Sequence, residues 1–192
     1  MYLGHFFERF SDSIGKLFIP VFFYNSMKVL IISDTHDHMQ DLDTVIAKTK
    51  GLIDVVLHCG DFCAPFAFKK LADFSVPVHA VWGNTNDKDA ELELAKSLAQ
   101  VTLHGDVAEL TLGGLLFHLN HFPEVGLSAA QSGKYDIVCF GHTHMQKIEK
   151  VGETLVINPG AVMSEPNIPG ASEGISFVVL DTDTFEISQV TL

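Results

Sequence analysis

Short apolar runs alternate with polar punctuation along most of the chain. Residues 28–33 form a continuous apolar run, as in a strand buried on both faces. Residues 41–50 read as a helix, 52–58 as a second buried strand, 65–73 as a second helix and 76–82 as a third strand. Residues 88–100 read as an amphipathic helix. This β-α-β-α-β-α rhythm predicts a parallel sheet with helices on its faces. The rhythm then changes. Residues 101–104, 107–112 and 115–119 read as short strands, with a Gly113-Gly114 turn between the last two. A short helix over 123–132 and a strand over 136–140 follow, and the remainder is strand-rich, over 145–151, 154–157, 174–181 and 185–192. Such a pattern predicts an α/β fold: a four-layer αββα sandwich, two mixed sheets face to face with helices outside.

Composition narrows the classes. The 192 residues are 47% hydrophobic, which fits a folded chain with a full core. Twelve basic against 24 acidic residues give a net charge of −12, which argues against a strong nucleic-acid footprint. The three cysteines, Cys59, Cys63 and Cys139, are an odd number with no C-x-x-C pair. Neither a disulfide framework nor a zinc knuckle is expected, and a reducing, cytoplasmic setting is. Residues 1–26 stand apart. They carry six phenylalanines, and their apolar run over 17–24 is interrupted by Pro20. That run is too short to span a membrane, which takes about 20 apolar residues. Glu8 and Asp12 sit where a secretory signal would be basic. The expected organisation is an amino-terminal extension over 1–26 that packs on the surface, then one domain over 27–192. An amphipathic segment that docks on a partner is the alternative for the extension.

Polar residues collect where strands end. The first strand runs into Ser33-Asp34-Thr35-His36, the second into Cys59-Gly60-Asp61, and the third into Gly83-Asn84-Thr85-Asn86-Asp87. Later strands run into Asn120-His121 and Gly141-His142-Thr143-His144. Carboxyl ends of strands are where α/β sheets bind ligands. Each short motif alone has a bland reading as a helix cap or turn; five of them at strand ends in one chain do not. Two histidines at i and i+2 are expected to point the same way from an extended backbone. The donors are two carboxylates, one amide and four imidazoles, without thiolate, which suits manganese, iron, zinc, nickel or cobalt. Seven donors exceed one tetrahedral site and fit two ions roughly 3.5–4 Å apart.

Taken in order, Asp34-Thr35-His36, Gly60-Asp61, Gly83-Asn84, His121 and Gly141-His142-Thr143-His144 resemble the calcineurin-like metallophosphoesterase superfamily. The chain is similar to its small, single-domain phosphodiesterases of the bacterial and archaeal YfcE type, from Met27 to the end. The resemblance implies that Asp34, His36, Asp61 and His144 hold one divalent metal ion. It implies that Asp61, Asn84, His121 and His142 hold a second, with Asp61 as the bridge. Manganese is the first expectation, with iron, nickel, zinc, cobalt or magnesium behind it. His121 is chosen over His118 because His121-Phe122-Pro123-Glu124 is similar to a His-Tyr-Pro-Glu run in this branch. By alternation His118 faces the opposite side of its strand.

Charge arithmetic reaches the same chemistry. Two divalent ions, two aspartates and a hydroxide between them leave about +1 at the pocket floor, so a small phosphate ester is attracted despite the net charge of −12. Two departures from the family pattern stand out. Relatives often carry Gly-Asn-His, whose histidine can protonate a leaving group, whereas this chain has Thr85. Relatives often read Asn-Pro-Gly-Ser followed by Pro-Arg; this chain reads Asn158-Pro159-Gly160-Ala161 and then Glu165-Pro166-Asn167, with no arginine after Arg9. The leading expectation is a two-metal phosphodiesterase, with room for a homo-oligomer. The alternative is a protein-interaction scaffold of the same fold, like the retromer subunit.

Overall fold

The computed structural model describes residues 26–164 and 171–192. The readings on residues 1–25 and on Glu165-Pro166-Asn167 lie outside the described residues. Among the described residues, eleven strands form two mixed sheets. The first has the order β11-β10-β1-β2-β3-β4, built from β1 (Lys28–Ile32), β2 (Val55–His58), β3 (Val78–Ala80), β4 (Val101–Leu103), β10 (Ser176–Asp181) and β11 (Ile187–Thr191). The second has the order β5-β6-β7-β9-β8, built from β5 (Val107–Leu112), β6 (Leu115–Asn120), β7 (Ile137–Cys139), β8 (Gln146–Val151) and β9 (Thr154–Pro159).

Alternation along each strand divides the core into three layers. Val29, Ile31, Val55 and Leu57 point inward and meet Phe117, Leu119, Ile137 and Ile157 of the second sheet. Leu30, Ile32, Val56 and Val78 point outward, under Leu42 and Val45 of α1 (Met39–Thr49) and Ala67 and Phe68 of α2 (Pro65–Lys70). On the far side, Ala130 of α4 (Pro123–Gln131) packs with Val138 and Val156. The result is the αββα sandwich that the alternating pattern predicts. No described helix is long and apolar enough to cross a membrane.

The third helix differs from its expectation. α3 covers Lys88–Ala95 and stops short of residue 100. Its one buried residue is Glu91, while Leu92 is 48% exposed, so the apolar pattern over 88–100 does not describe a buried face. Leu94, Ala95 and Leu98 pack only partly against the core. The helix is held at its start instead, where the Asp87 carboxylate caps it by accepting from the Ala90 N–H.

Register brings the strand ends together. Ile32, His58 and Ala80 are partners across β1, β2 and β3, and Leu119, Cys139 and Ile157 across β6, β7 and β9. The loops that follow these strands meet at one end of the sandwich, between the sheets.

Candidate metal centre

Each loop reaches this end by an unusual backbone. Asp34, His36, Asp61, Cys63, His142 and His144 all have positive φ, from 43° to 69°. Non-glycine residues rarely adopt this left-handed region, and a run of them at one place marks a functional constraint. It corrects the expectation for the histidine motif. His142 and His144 are not on extended backbone, and their rings enter two different clusters.

Hydrogen bonds lock the loops to one another. The Asp34 N–H donates to the Gly60 carbonyl at 3.0 Å, and the His36 N–H to the Asp61 carbonyl at 2.8 Å. The His142 N–H donates to Asp34 Oδ2 at 3.0 Å, and the Gly141 N–H to the His121 carbonyl at 3.1 Å. A side chain at Gly141 would collide with Ser33 and Asp34, and one at Gly83 with Asp61, so both positions require glycine.

One cluster joins Asp34, His36 and His144. His144 Nε2 lies 3.2 Å from Asp34 Oδ1 and 3.3 Å from His36 Nε2. Asp34 Oδ1 is buried and makes no hydrogen bond. The other cluster is centred on His121, whose Nδ1 donates to the Cys59 carbonyl at 2.9 Å. In the neutral ring Nε2 is then a bare lone pair. It faces Asn84 Oδ1 at 3.1 Å, His142 Nδ1 at 3.3 Å and Asp61 Oδ2 at 3.4 Å. His142 Nδ1 is also 3.0 Å from Asn84 Oδ1. The ligand atoms of Asp34, Asp61 and His121 lie within 4.8 Å of one another, so Asp34 belongs to both groups.

All seven residues expected from the sequence therefore stand together. Asp34, Asp61, His121 and His144 form a buried floor, while Asn84 and His142 lie at the exposed mouth. Burial alone would raise the Asp61 carboxyl, but the His121 ring and the Thr85 N–H and hydroxyl hold it well below the usual carboxylate range. Burial lowers His121, yet the hydrogen bond and charge of Asp61 with the charge of Asp34 outweigh it, and the ring is shifted up. His36 is lowered, chiefly by burial. Oxygen and imidazole donors converging on buried, unpartnered atoms fit divalent cations, which would separate lone pairs that otherwise repel.

The neighbouring candidates have other duties. His118 is buried on the opposite face of β6, its ring 4.9 Å from that of Tyr135. His58 is fully buried and pushed down to about 3 by burial; its Nδ1 accepts from the Gly60 N–H and its Nε2 pairs with Thr35 Oγ1. His38 Nδ1 sits 3.2 Å from Asp41 Oδ2. Cys59 is buried and raised by burial, a packing residue.

Several residues at the centre lie outside the seven expected donors. Asn158 Nδ2 donates to the Gly141 carbonyl at 2.9 Å and holds the histidine loop. Asn86 Oδ1 accepts from the Gly83 N–H at 2.6 Å, and its Nδ2 donates to buried Glu91 Oε1 at 3.2 Å, which fixes the loop carrying Asn84. Cys63 and Thr85 lie beside His36 and Asp61. Of these, Asn158, in its Asn-Pro-Gly run, and Thr85 are the two that the sequence singles out.

The family model for the calcineurin-like phosphoesterase superfamily domain matches residues 27–185. Phosphodiesterase MJ0936 of Methanocaldococcus jannaschii is 32% identical over 171 residues, covering 86% of this chain and 99% of the relative. The solved structure of an archaeal phosphodiesterase superposes with a TM-score of 0.77 at 30% identity, over 86% of this chain and 100% of that one. The phosphoesterase Yfce of E. coli superposes at 0.59 with 20% identity, over 86% of this chain and 99% of that one. Wild-type Vps29 of Entamoeba histolytica, solved with zinc, superposes at 0.55 with 18% identity, over 86% and 98%. The last two share the fold alone.

Proposed function

We propose that this chain, which belongs to the calcineurin-like phosphoesterase superfamily, is a phosphodiesterase working with two divalent cations, manganese first among them. Asp34, His36, Asp61 and His144 hold one cation, and Asp61, Asn84, His121 and His142 the other. The observation that carries this reading is the His121 ring. Its Nδ1 donates to the Cys59 carbonyl, which turns its Nε2 onto the donor atoms of Asp61, Asn84 and His142, all within 3.4 Å.

When bound, the cation pair supplies water activated as a nucleophile at neutral pH and offsets charge on the phosphoryl oxygens. The protein's part is placement. The buried carboxylates of Asp34 and Asp61 fix the floor, and exposed Asn84 and His142 face the entering ester. Asn84 is a neutral donor, so the cation beside it keeps more of its charge. Among the described residues there is no arginine, so none of them offers a guanidinium to clamp a dianion. That favours a diester, which carries one negative charge, over a monoester.

The test is a panel of phosphomonoesters and phosphodiesters assayed with Mn²⁺, Fe²⁺, Ni²⁺, Zn²⁺, Co²⁺ and Mg²⁺ in turn. Metal-dependent turnover of diesters supports the reading. Stoichiometric metal binding without turnover of any ester would favour the scaffold reading.

A further inference from the structure

We infer that Cys63 and Thr85 form a hydrogen-bonded arc that positions two of the proposed metal ligands, His36 and Asp61, from outside the donor cluster. The inference rests on the two-metal reading above.

The arc has one consistent direction. His36 turns Nε2 toward His144 and Asp34, so its proton is on Nδ1. Nδ1 lies 3.0 Å from Cys63 Sγ, which accepts that proton's hydrogen bond. The thiol has one hydrogen of its own, and Thr85 Oγ1 lies 3.1 Å from the sulfur to accept it. Thr85 then turns to Asp61: its backbone N–H donates to Oδ1 at 3.0 Å. Along the arc His36 donates, Cys63 and Thr85 each accept and donate, and the Asp61 carboxylate accepts.

Placement separates this role from two others. Cys63 Sγ meets the ring nitrogen that points away from the donor cluster, so the thiol is not itself a ligand. Cys63 is also distinct from Cys59 and Cys139, which are fully buried in the core between the sheets. Histidines that bind metals usually donate the second N–H to a carboxylate, a carbonyl or water. His121 follows that rule through the Cys59 carbonyl; His36 uses a thiol, a weaker acceptor. The two candidate sites are thereby oriented by different chemistry, and Thr85 ties one to the other.

The experiment titrates Zn²⁺ alone into the metal-free full chain by calorimetry, for the wild type and for Cys63→Ala, Cys63→Ser, Thr85→Val and Thr85→Ser. Long-range ¹H–¹⁵N spectra of the zinc-loaded wild type and Cys63→Ala accompany it. Cys63→Ala and Thr85→Val are each expected to weaken zinc binding by roughly 10–100-fold, the usual loss for a partner of a metal ligand. The serine variants, which keep a hydroxyl donor and acceptor in each place, are expected to recover most of it. The double variant Cys63→Ala/Thr85→Val is expected to lose little more than either single one, because both break the same arc. The His36 Nδ1 proton is expected to be protected from solvent in the wild type and to exchange faster in Cys63→Ala. Affinities within twofold of wild type, a loss that serine does not recover, or an unprotected Nδ1 proton in the wild type would overturn the arc. A wild type that binds no zinc fails differently, since it would overturn the two-metal reading itself.

Discussion

His142 donates its backbone N–H to Asp34 Oδ2 at 3.0 Å, tying the last histidine loop to the first aspartate across the two sheets. One carboxylate thus does two jobs. Oδ2 anchors the opposite loop, and Oδ1 is left buried and unpartnered toward His144.

Asp34→Asn separates these jobs. An amide keeps one oxygen for the His142 N–H and places an NH₂ group where Oδ1 stood. The variant is expected to stay folded and to hold about one metal equivalent instead of two. Turnover is expected to fall by about 10³-fold or more, since several kcal/mol of charge stabilisation are lost. Metal analysis and thermal unfolding of the same preparation check both halves, and two retained equivalents would contradict the assignment.

Glu91 acts on Asn84 at a distance. It is fully buried, and its Oε1 accepts from both the Asn86 Nδ2 and the Asp87 N–H, each at 3.2 Å. Glu91→Gln keeps that oxygen and is expected to behave like wild type. Glu91→Ala leaves the donors unpaired, at a cost of about 1–3 kcal/mol in stability, and is expected to weaken one metal site by roughly 10–100-fold. Calorimetric metal titration beside denaturant unfolding distinguishes this from a purely structural role, in which affinity would not move.

His58 sets a pH dependence. Burial holds the folded ring near about 3 against an ordinary value of 6.5. The unfolded state therefore binds the extra proton, and stability falls as pH drops from about 6.5 toward 3. The slope from this one group is about 1.4 kcal/mol per pH unit. His58→Gln is expected to be less stable at pH 8 but shallower in its pH dependence, so the two unfolding curves converge on acidification of the metal-free protein. Parallel curves would show that His58 is not the titrating group.

Three described residues near the centre are unsuited to serve as the leaving-group acid. Thr85 has no acidic proton to give, Asp87 caps α3, and both ring nitrogens of His58 are occupied within the core. Rate is therefore expected to depend steeply on leaving-group acidity, with aryl diesters turned over well and alkyl monoesters poorly, because a positioned acid is commonly worth 10²–10⁴-fold. A series of aryl phosphodiesters of graded leaving-group pKa, with saturating Mn²⁺, measures the slope. A flat line with chemistry rate-limiting would reveal an acid that the geometry does not show, and Thr85→His is expected to flatten a steep one.

Much of this was legible in the sequence because it rests on period and on strand ends. The apolar runs at Val29–Ile32 and Val55–Leu57 could only be strands buried on both faces, and the polar residues after them had to meet at one edge. What was hidden depended on tertiary contact. The apolar pattern over 88–100 promised a buried helix face, yet the helix stops at Ala95 with Glu91 inside, because a buried hydrogen-bond network outweighs the pattern. The left-handed backbone at His142 and His144 has no propensity signal, so their separation into two clusters could not be read from i and i+2 spacing. Cys63 and Asn86 belong to no motif. Their roles exist only once the β2 and β3 loops lie side by side.

The central claim is that Asp61 joins two metal sites, and metal content tests it most directly. The full chain and Asp61→Asn are saturated with Mn²⁺, freed of loose metal and analysed by plasma emission spectrometry, with diester turnover measured on the same samples. The account predicts about two equivalents and active wild type, against loss of metal and of turnover in Asp61→Asn. Undiminished metal and a near-normal rate in the variant would contradict it.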